Sequence, residues 1–294
     1  MHLPSHAFIR VQSHEMHATQ WGDTAKPPLV LWHGLVRTCR DFDELAQGLS
    51  HNYFVICPDT IGRGLSSWAK HPEKEYALSH YCKLAIGLLD HYGITQTSWI
   101  GTSMGGLIGM ALAAGDHASR LHCLVMNDIG PEIPQAALDR IRSYISSGPP
   151  QFNSLAEAES TFRLIYTTFG PVSDLFWNRL VRHSTRRNDA GKITMHFDPK
   201  IVEYFPTTAK DYDCWDLYNS IKVPTHIIWG EKSDVLTKDI LERMKQSGPK
   251  PGVSVFQDCG HAPSLSRKED IALVSDRLKQ LTNVQPNKKS PHYT

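Results

Sequence analysis

The sequence lacks a charge bias: 31 Lys+Arg stand against 30 Asp+Glu, for a formal net charge of +1. Near-zero charge supplies no general drive toward nucleic acid or anionic lipid, so neither is an expected partner. It is also short of organised cysteine. Cys39, Cys57, Cys82, Cys123, Cys214 and Cys259 are scattered, with no C-x-x-C and no metal-like spacing. That excludes a disulfide scaffold and a cysteine zinc site as organising devices. There is no P-loop and no G-x-G-x-x-G dinucleotide fingerprint, and no cofactor or metal is expected. The opening residues Met1-His2-Leu3-Pro4-Ser5-His6 show neither the basic nor the apolar part of a signal peptide. The longest uncharged stretch, between Asp90 and Asp116, is broken by Thr95, Gln96, Ser98, Gly101, Ser103 and further glycines. Such a load suits a buried strand-turn-helix, not a membrane span. The expectation is a cytoplasmic protein without membrane insertion, monomeric or homodimeric.

What is present is globular. The 294 residues, 40% hydrophobic and 21% charged, are enough to bury a core without staples. Short apolar runs alternate with stretches of helical periodicity. Residues 7–13 and 15–21 read as an opening pair of strands, followed by strands over 29–32, 53–57, 98–100, 121–126, 225–229 and 253–256. Most are apolar without alternation, the mark of a sheet covered on both faces. Helical patterns over 41–49, 79–92, 104–114, 235–246 and 268–281 fill the gaps. Strand, helix, strand in alternation means right-handed crossovers and a mostly parallel sheet, hence an α/β fold. The alternation breaks once. Residues 131–222 show helices over 135–146, 154–168 and 173–186 but no convincing buried strand. The chain therefore reads as a core, 1–130 and 223–294, with a helical lid at 131–222. Residues 283–294 are polar and are expected to fray.

The strongest chemical signal is Gly101-Thr102-Ser103-Met104-Gly105-Gly106, a G-x-S-x-G directly after an apolar strand and before a helix. A serine on so tight a turn sits in a strained conformation. The glycines on either side let neighbouring chain approach without a Cβ clash. The helix aims its free N–H groups at the place where an oxyanion forms. A serine hydroxyl needs a base, and His261 in Asp258-Cys259-Gly260-His261-Ala262-Pro263 follows the last strand on the same sheet edge. A carboxylate should orient that imidazole. Asp234 and Asp128 both follow apolar strands, and Glu231 and Asp239 are further candidates. The order Ser103, Asp234, His261 favours Asp234, leaving Asp128 as a cap at the mouth of the insertion.

These motifs resemble those of the α/β-hydrolase-fold serine hydrolases over nearly the whole chain. His33-Gly34-Leu35 is similar to the family's oxyanion loop, and Pro58 through Ser66 to its D-x-x-G-x-G-x-S turn. Trp229-Gly230-Glu231-Lys232-Ser233-Asp234 resembles the acid loop, and Gly260-His261 the histidine loop. The resemblance implies an eight-stranded sheet flanked by helices, with backbone N–H groups of Leu35 and Met104 as the oxyanion hole. His33, Asp59, Arg63 and Ser66 are read as structural props.

Such a chain is expected to hydrolyse carboxylic esters of small to medium acyl compounds through an acyl-enzyme. A carbon–carbon bond hydrolase or a lactonase would use the same triad, although the Ala262-Pro263 after the histidine weakens the first of these. From another class, a ligand-binding receptor can also be built on a hydrolase fold. Of the lid aromatics Phe152, Phe162, Tyr166, Phe169, Phe176 and Trp177, about half should pack internally and half line the pocket. Arg163, Arg179 and Arg182 read as solvated lid charges.

Overall fold

A computed structural model describes residues 3–283; most of the stretch expected to fray, 284–294, lies outside the described residues. In chain order the first elements are β1 (Ser5–Val11), β2 (His14–Trp21), β3 (Pro28–Trp32), α1 (Asp43–Leu49) and β4 (Phe54–Pro58). Next come α2 (Pro72–Glu75), α3 (Leu78–His91), β5 (Thr97–Thr102), α4 (Met104–Ala114) and β6 (Leu121–Asn127). A long excursion follows: α5 (Gln135–Ser146), β7 (Gln151–Phe152), α6 (Leu155–Ile165), α7 (Asp174–Ser184), β8 (Thr185–Arg187), β9 (Ile193–Met195) and α8 (Trp215–Ser220). The chain closes with β10 (Thr225–Gly230), α9 (Lys238–Gln246), β11 (Gly252–Phe256) and α10 (Lys268–Asn283).

Eight strands form one sheet in the order β1-β2-β4-β3-β5-β6-β10-β11. β1 pairs antiparallel with β2, and β2 with β4; the other pairings are parallel. This is the expected eight-stranded, mostly parallel sheet. Its strands are apolar on both sides because both faces are covered. Val30, Trp32, Trp99 and Leu124 face a cluster with Leu84, Leu88 and Ile108 of α3 and α4. Leu29, Leu31, Val55 and Val125 face another, with Leu45 and Leu49 of α1 and Val274 and Leu278 of α10. Trp32 and Trp99 stack with ring centroids 5.2 Å apart, locking β3 to β5.

Strand register sets the site. Trp32 pairs with Gly101, Thr102 with Asn127, and Asn127 with Ile228. The residues that follow, His33, Ser103 and Asp128, therefore emerge together on one edge.

Within 131–222 the structure has helices and also a small antiparallel sheet, in the order β7-β9-β8. No strand was expected there, since runs of two or three residues are too short to show alternation. Thr185 and Arg186, read as the end of a helix, belong to β8. This segment is tied to the turn after β4 and to the end of α2. The Gly64 N–H donates to the His196 carbonyl at 3.0 Å, and Tyr76 OH to Asp198 Oδ2 at 2.6 Å. Its last helix, α8, packs on α4, and Tyr218 OH donates to the Met244 carbonyl at 2.9 Å. Among the described residues no helix is long and apolar enough to cross a membrane.

Candidate active site

Ser103 sits between β5 and α4 at φ 51° and ψ −114°, a conformation L residues rarely adopt. The flanking glycines explain how the turn is possible. A Cβ on Gly101 would stand 2.1 Å from the Gly105 backbone, and one on Gly105 would stand 2.1 Å from the Trp32 carbonyl oxygen. Any larger residue would push α4 off the sheet. The Ser103 N–H donates to the Asn127 carbonyl at 3.0 Å, pinning the turn to β6.

His261 Nε2 lies 3.0 Å from Ser103 Oγ, and its Nδ1 lies 2.8 Å from Asp128 Oδ2. A carboxylate at Nδ1 keeps the proton there and leaves Nε2 as an acceptor for the serine hydroxyl. Asp128 is wholly buried, at φ 57°. Its Oδ1 accepts the Gly230 N–H at 2.8 Å, and its Oδ2 accepts the Ser233 hydroxyl at 2.6 Å. The carboxylate is thus fixed from three directions, which compensates its removal from water.

The preference for Asp234 is corrected here: the residue on His261 is Asp128. Asp234 forms a bidentate pair with Arg140, Oδ2 to Nε at 2.6 Å and Oδ1 to Nη2 at 2.8 Å, with both side chains 49% exposed. Glu231 and Asp239 are exposed. Sheet order supplies the reason. β6 is the immediate neighbour of β5, so the first residue after β6 is already beside Ser103. The loop after β10 begins one strand further away and turns at once, Ser233 N–H to the Gly230 carbonyl at 2.9 Å. That turn points Ser233 inward and Asp234 outward. The available signal was an aspartate directly at the end of a largely apolar strand, Leu121–Asn127, with no intervening loop residue.

Leu35 and Met104 both line the cavity in front of Ser103. A methyl group at Gly34 would stand 3.7 Å from Ser103 Cβ, so the early loop runs close against the serine. His33 holds that loop as a neutral ring. Its Nε2 accepts the Thr60 N–H at 2.9 Å and its Nδ1–H donates to the Gly34 carbonyl at 2.7 Å. Burial lowers its pKa to about 4. Asp59 and Ser66 tie the turn after β4: Asp59 accepts N–H groups of Cys39 and Leu65, and Ser66 donates to the Asp59 carbonyl. Arg63 reaches further than its turn. Its Nε donates to the Leu35 carbonyl at 2.7 Å, and its Nη2 lies 3.7 Å from Met104 Sδ. One buried guanidinium thus braces both residues proposed to supply oxyanion donors.

The cavity has a volume of about 700 Å³, and Ser103 and His261 stand in its wall. Tyr166, Phe169 and Phe176 line it, while Phe152, Phe162 and Trp177 pack within the excursion. Arg163 pairs with Glu159 and Asp174, Arg179 with Glu44, and Arg182 is exposed; none lines the cavity. Among the described residues, the one group of potential metal ligands is His17, Cys39 and Asp59, all buried. Its members are already occupied: Asp59 Oδ2 accepts from His17 Nδ1 at 2.7 Å, and burial raises the Cys39 thiol well above its ordinary pKa. The cluster reads as a hydrogen-bonded turn.

A family model described as alpha/beta hydrolase fold matches residues 27–268. A 3-hydroxybutyrate-oligomer hydrolase of Cupriavidus necator is 32% identical over 270 residues, covering 88% of this chain and 91% of that protein. A 2-hydroxymuconate semialdehyde hydrolase of Pseudomonas putida is 37% identical over 221 residues, 74% of each chain. Among solved structures, an alpha/beta hydrolase from Novosphingobium aromaticivorans superposes with a TM-score of 0.84 at 30% identity, over 95% of this chain and 99% of that one.

Proposed function

This chain belongs to the alpha/beta hydrolase fold family, and we propose that within it the chain is a serine hydrolase cleaving carboxylic esters of small to medium acyl compounds. One observation carries the reading: the unbroken hydrogen-bond chain Ser103–His261–Asp128 in the wall of a bounded, largely apolar cavity. In this mechanism Ser103 Oγ attacks the ester carbonyl while His261 Nε2 takes its proton. Asp128 steadies the imidazolium that results. The oxyanion meets the N–H groups of Leu35 and Met104, each such donor lowering the barrier by about 2.7–4 kcal/mol. His261 returns the proton to the departing alcohol, and the acyl group remains on Ser103. Water deprotonated by His261 then releases the acid. A cavity of about 700 Å³ suits a small or medium substrate, and the similarity to an oligomer hydrolase favours esters of short hydroxy acids.

A second reading, hydrolysis of a carbon–carbon bond, is favoured by the 37% identity to the muconate semialdehyde hydrolase. Fluorophosphonate labelling tests the shared part of both: Ser103 should be labelled in the native chain and not in Ser103→Ala. A panel of p-nitrophenyl esters, hydroxyacid oligoesters, lactones and ring-cleavage dienols then separates them. No labelling and no turnover would leave a ligand-binding receptor as the surviving alternative.

A further inference from the structure

The cavity wall carries few charged groups, and most of them are committed to protein partners. Arg37 is matched by Asp41 through two 2.8 Å hydrogen bonds and also donates to Ser184 Oγ, leaving its buried Nη1 without a partner among the described residues. Asp211 is spent capping its own turn, on the Thr208 N–H. His261 belongs to the serine. Arg140 differs. It projects from α5 into the wall, and its counter-ion comes from another part of the chain, the loop after β10. That pair is half exposed, where water and salt weaken ion pairing.

Resting on the ester-hydrolase reading above, we propose that Arg140 is the carboxylate contact of this cavity. It selects esters that bear a free carboxylate at the end remote from the scissile bond. Asp234 already demonstrates the chemistry: the guanidinium fork takes a carboxylate in bidentate geometry, both bonds under 3 Å. A substrate carboxylate entering the same fork exchanges one partner for another and leaves no buried charge unpaired. Position agrees. Asp234 adjoins Ser233, which binds the carboxylate held on His261, so the fork stands over the loop that supports the reacting residues. Ile141 and Tyr144 of the same helix also line the cavity, an apolar path for the chain between the two ends. The ligand class is a monoanionic ester, such as a short oligoester of a hydroxy acid. Asp234, which sequence order nominates as the triad acid, becomes the competitor of the substrate carboxylate.

The two members of the pair then have opposite effects, which a mere clasp between segments would not produce. The probes are the dimer and trimer of a short 3-hydroxy acid and the same oligomers ending in a primary amide. The scissile ester is identical in each. The native enzyme should prefer the acid over the amide, chiefly through KM, and the preference should shrink as salt rises. Arg140→Gln should cut that preference about fivefold, and Asp234→Asn should raise it about threefold. Equal preference in the native enzyme, or the same direction of change in both variants, would overturn the proposal. Calorimetric titration of Ser103→Ala with acid and amide reads the same ratio without turnover. Loss of the acid preference in Ser103→Ala combined with Arg140→Gln supports the contact even if ester turnover itself fails; an unchanged ratio rejects it.

Discussion

Two loops at one sheet edge each present an aspartate, and they have opposite characters. The loop after β6 offers Asp128 at once, buried, at positive φ, with His261, Gly230 and Ser233 on its carboxylate. The loop after β10 offers Asp234 only after a turn, half exposed and held by one arginine. Both follow apolar strands and both precede His261 in the chain. What separates them is a single strand position, about 4.8 Å in a sheet. A hydrogen bond to the imidazole must close to about 3 Å, so that step decides which carboxylate arrives. The second loop still contributes, through Ser233 and the Gly230 N–H. It supplies the support, and the first supplies the carboxylate that meets His261.

Several substitutions sharpen this contrast. The largest effect belongs to Ser103→Ala, on which both assignments depend. Ester turnover should fall on the order of 10⁶-fold in a variant with unchanged circular dichroism, and retention of more than a few per cent would dismiss Ser103 as nucleophile. Next comes Asp128→Asn, expected to lower kcat about 10⁴-fold by favouring the wrong imidazole tautomer. Asp234→Asn, assayed on neutral esters, should stay within about threefold of the native rate, consistent with an exposed pair worth under about 1 kcal/mol. The reverse ranking in folded variants would return the acid role to the second loop.

Burial, the property that separates the two loops, also predicts an acid weakness at this edge. His33 is wholly buried and its pKa is lowered to about 4, first by desolvation. An unfolded imidazole titrates near 6.5, so on acidification the unfolded chain binds the proton first. Stability is therefore full above about pH 6.5 and declines as pH falls toward 4, by roughly 3 kcal/mol from this residue. Urea denaturation at a series of pH values measures the slope; a flat profile from pH 7 to 4 would contradict it. An intermediate effect concerns the support. Ser233→Ala removes one hydrogen bond to Asp128 and should slow kcat about tenfold. A rate equal to that of the native enzyme would mean that the Gly230 N–H and His261 suffice to hold the carboxylate.

Much of this was legible in the residues. The strand runs, the G-x-S-x-G turn and the placement of Gly260-His261 are local patterns, and local sterics enforce them. Gly101 and Gly105 tolerate no Cβ, so the motif reports its own geometry. The excursion was harder to read. Its strands are two or three residues long, and Ile193 and Met195 are buried by contacts distant in sequence. Arg63 looked like a turn residue because nothing nearby in the chain announces that it reaches the Leu35 carbonyl.

The sequence by itself therefore determined the layered α/β architecture and the encounter of Ser103 with His261. Each follows from periodicity or from a turn that only certain residues permit. Tertiary structure alone decided which aspartate completes the hydrogen-bond chain. Chain order, taken above as favouring Asp234, is in fact satisfied by Asp128 as well, and the order of strands across the sheet sets β6 beside β5 and β10 beyond it. Proximity in a sheet arises from pairing between segments far apart in the chain, and a carboxylate a few ångströms too far away forms no hydrogen bond at all.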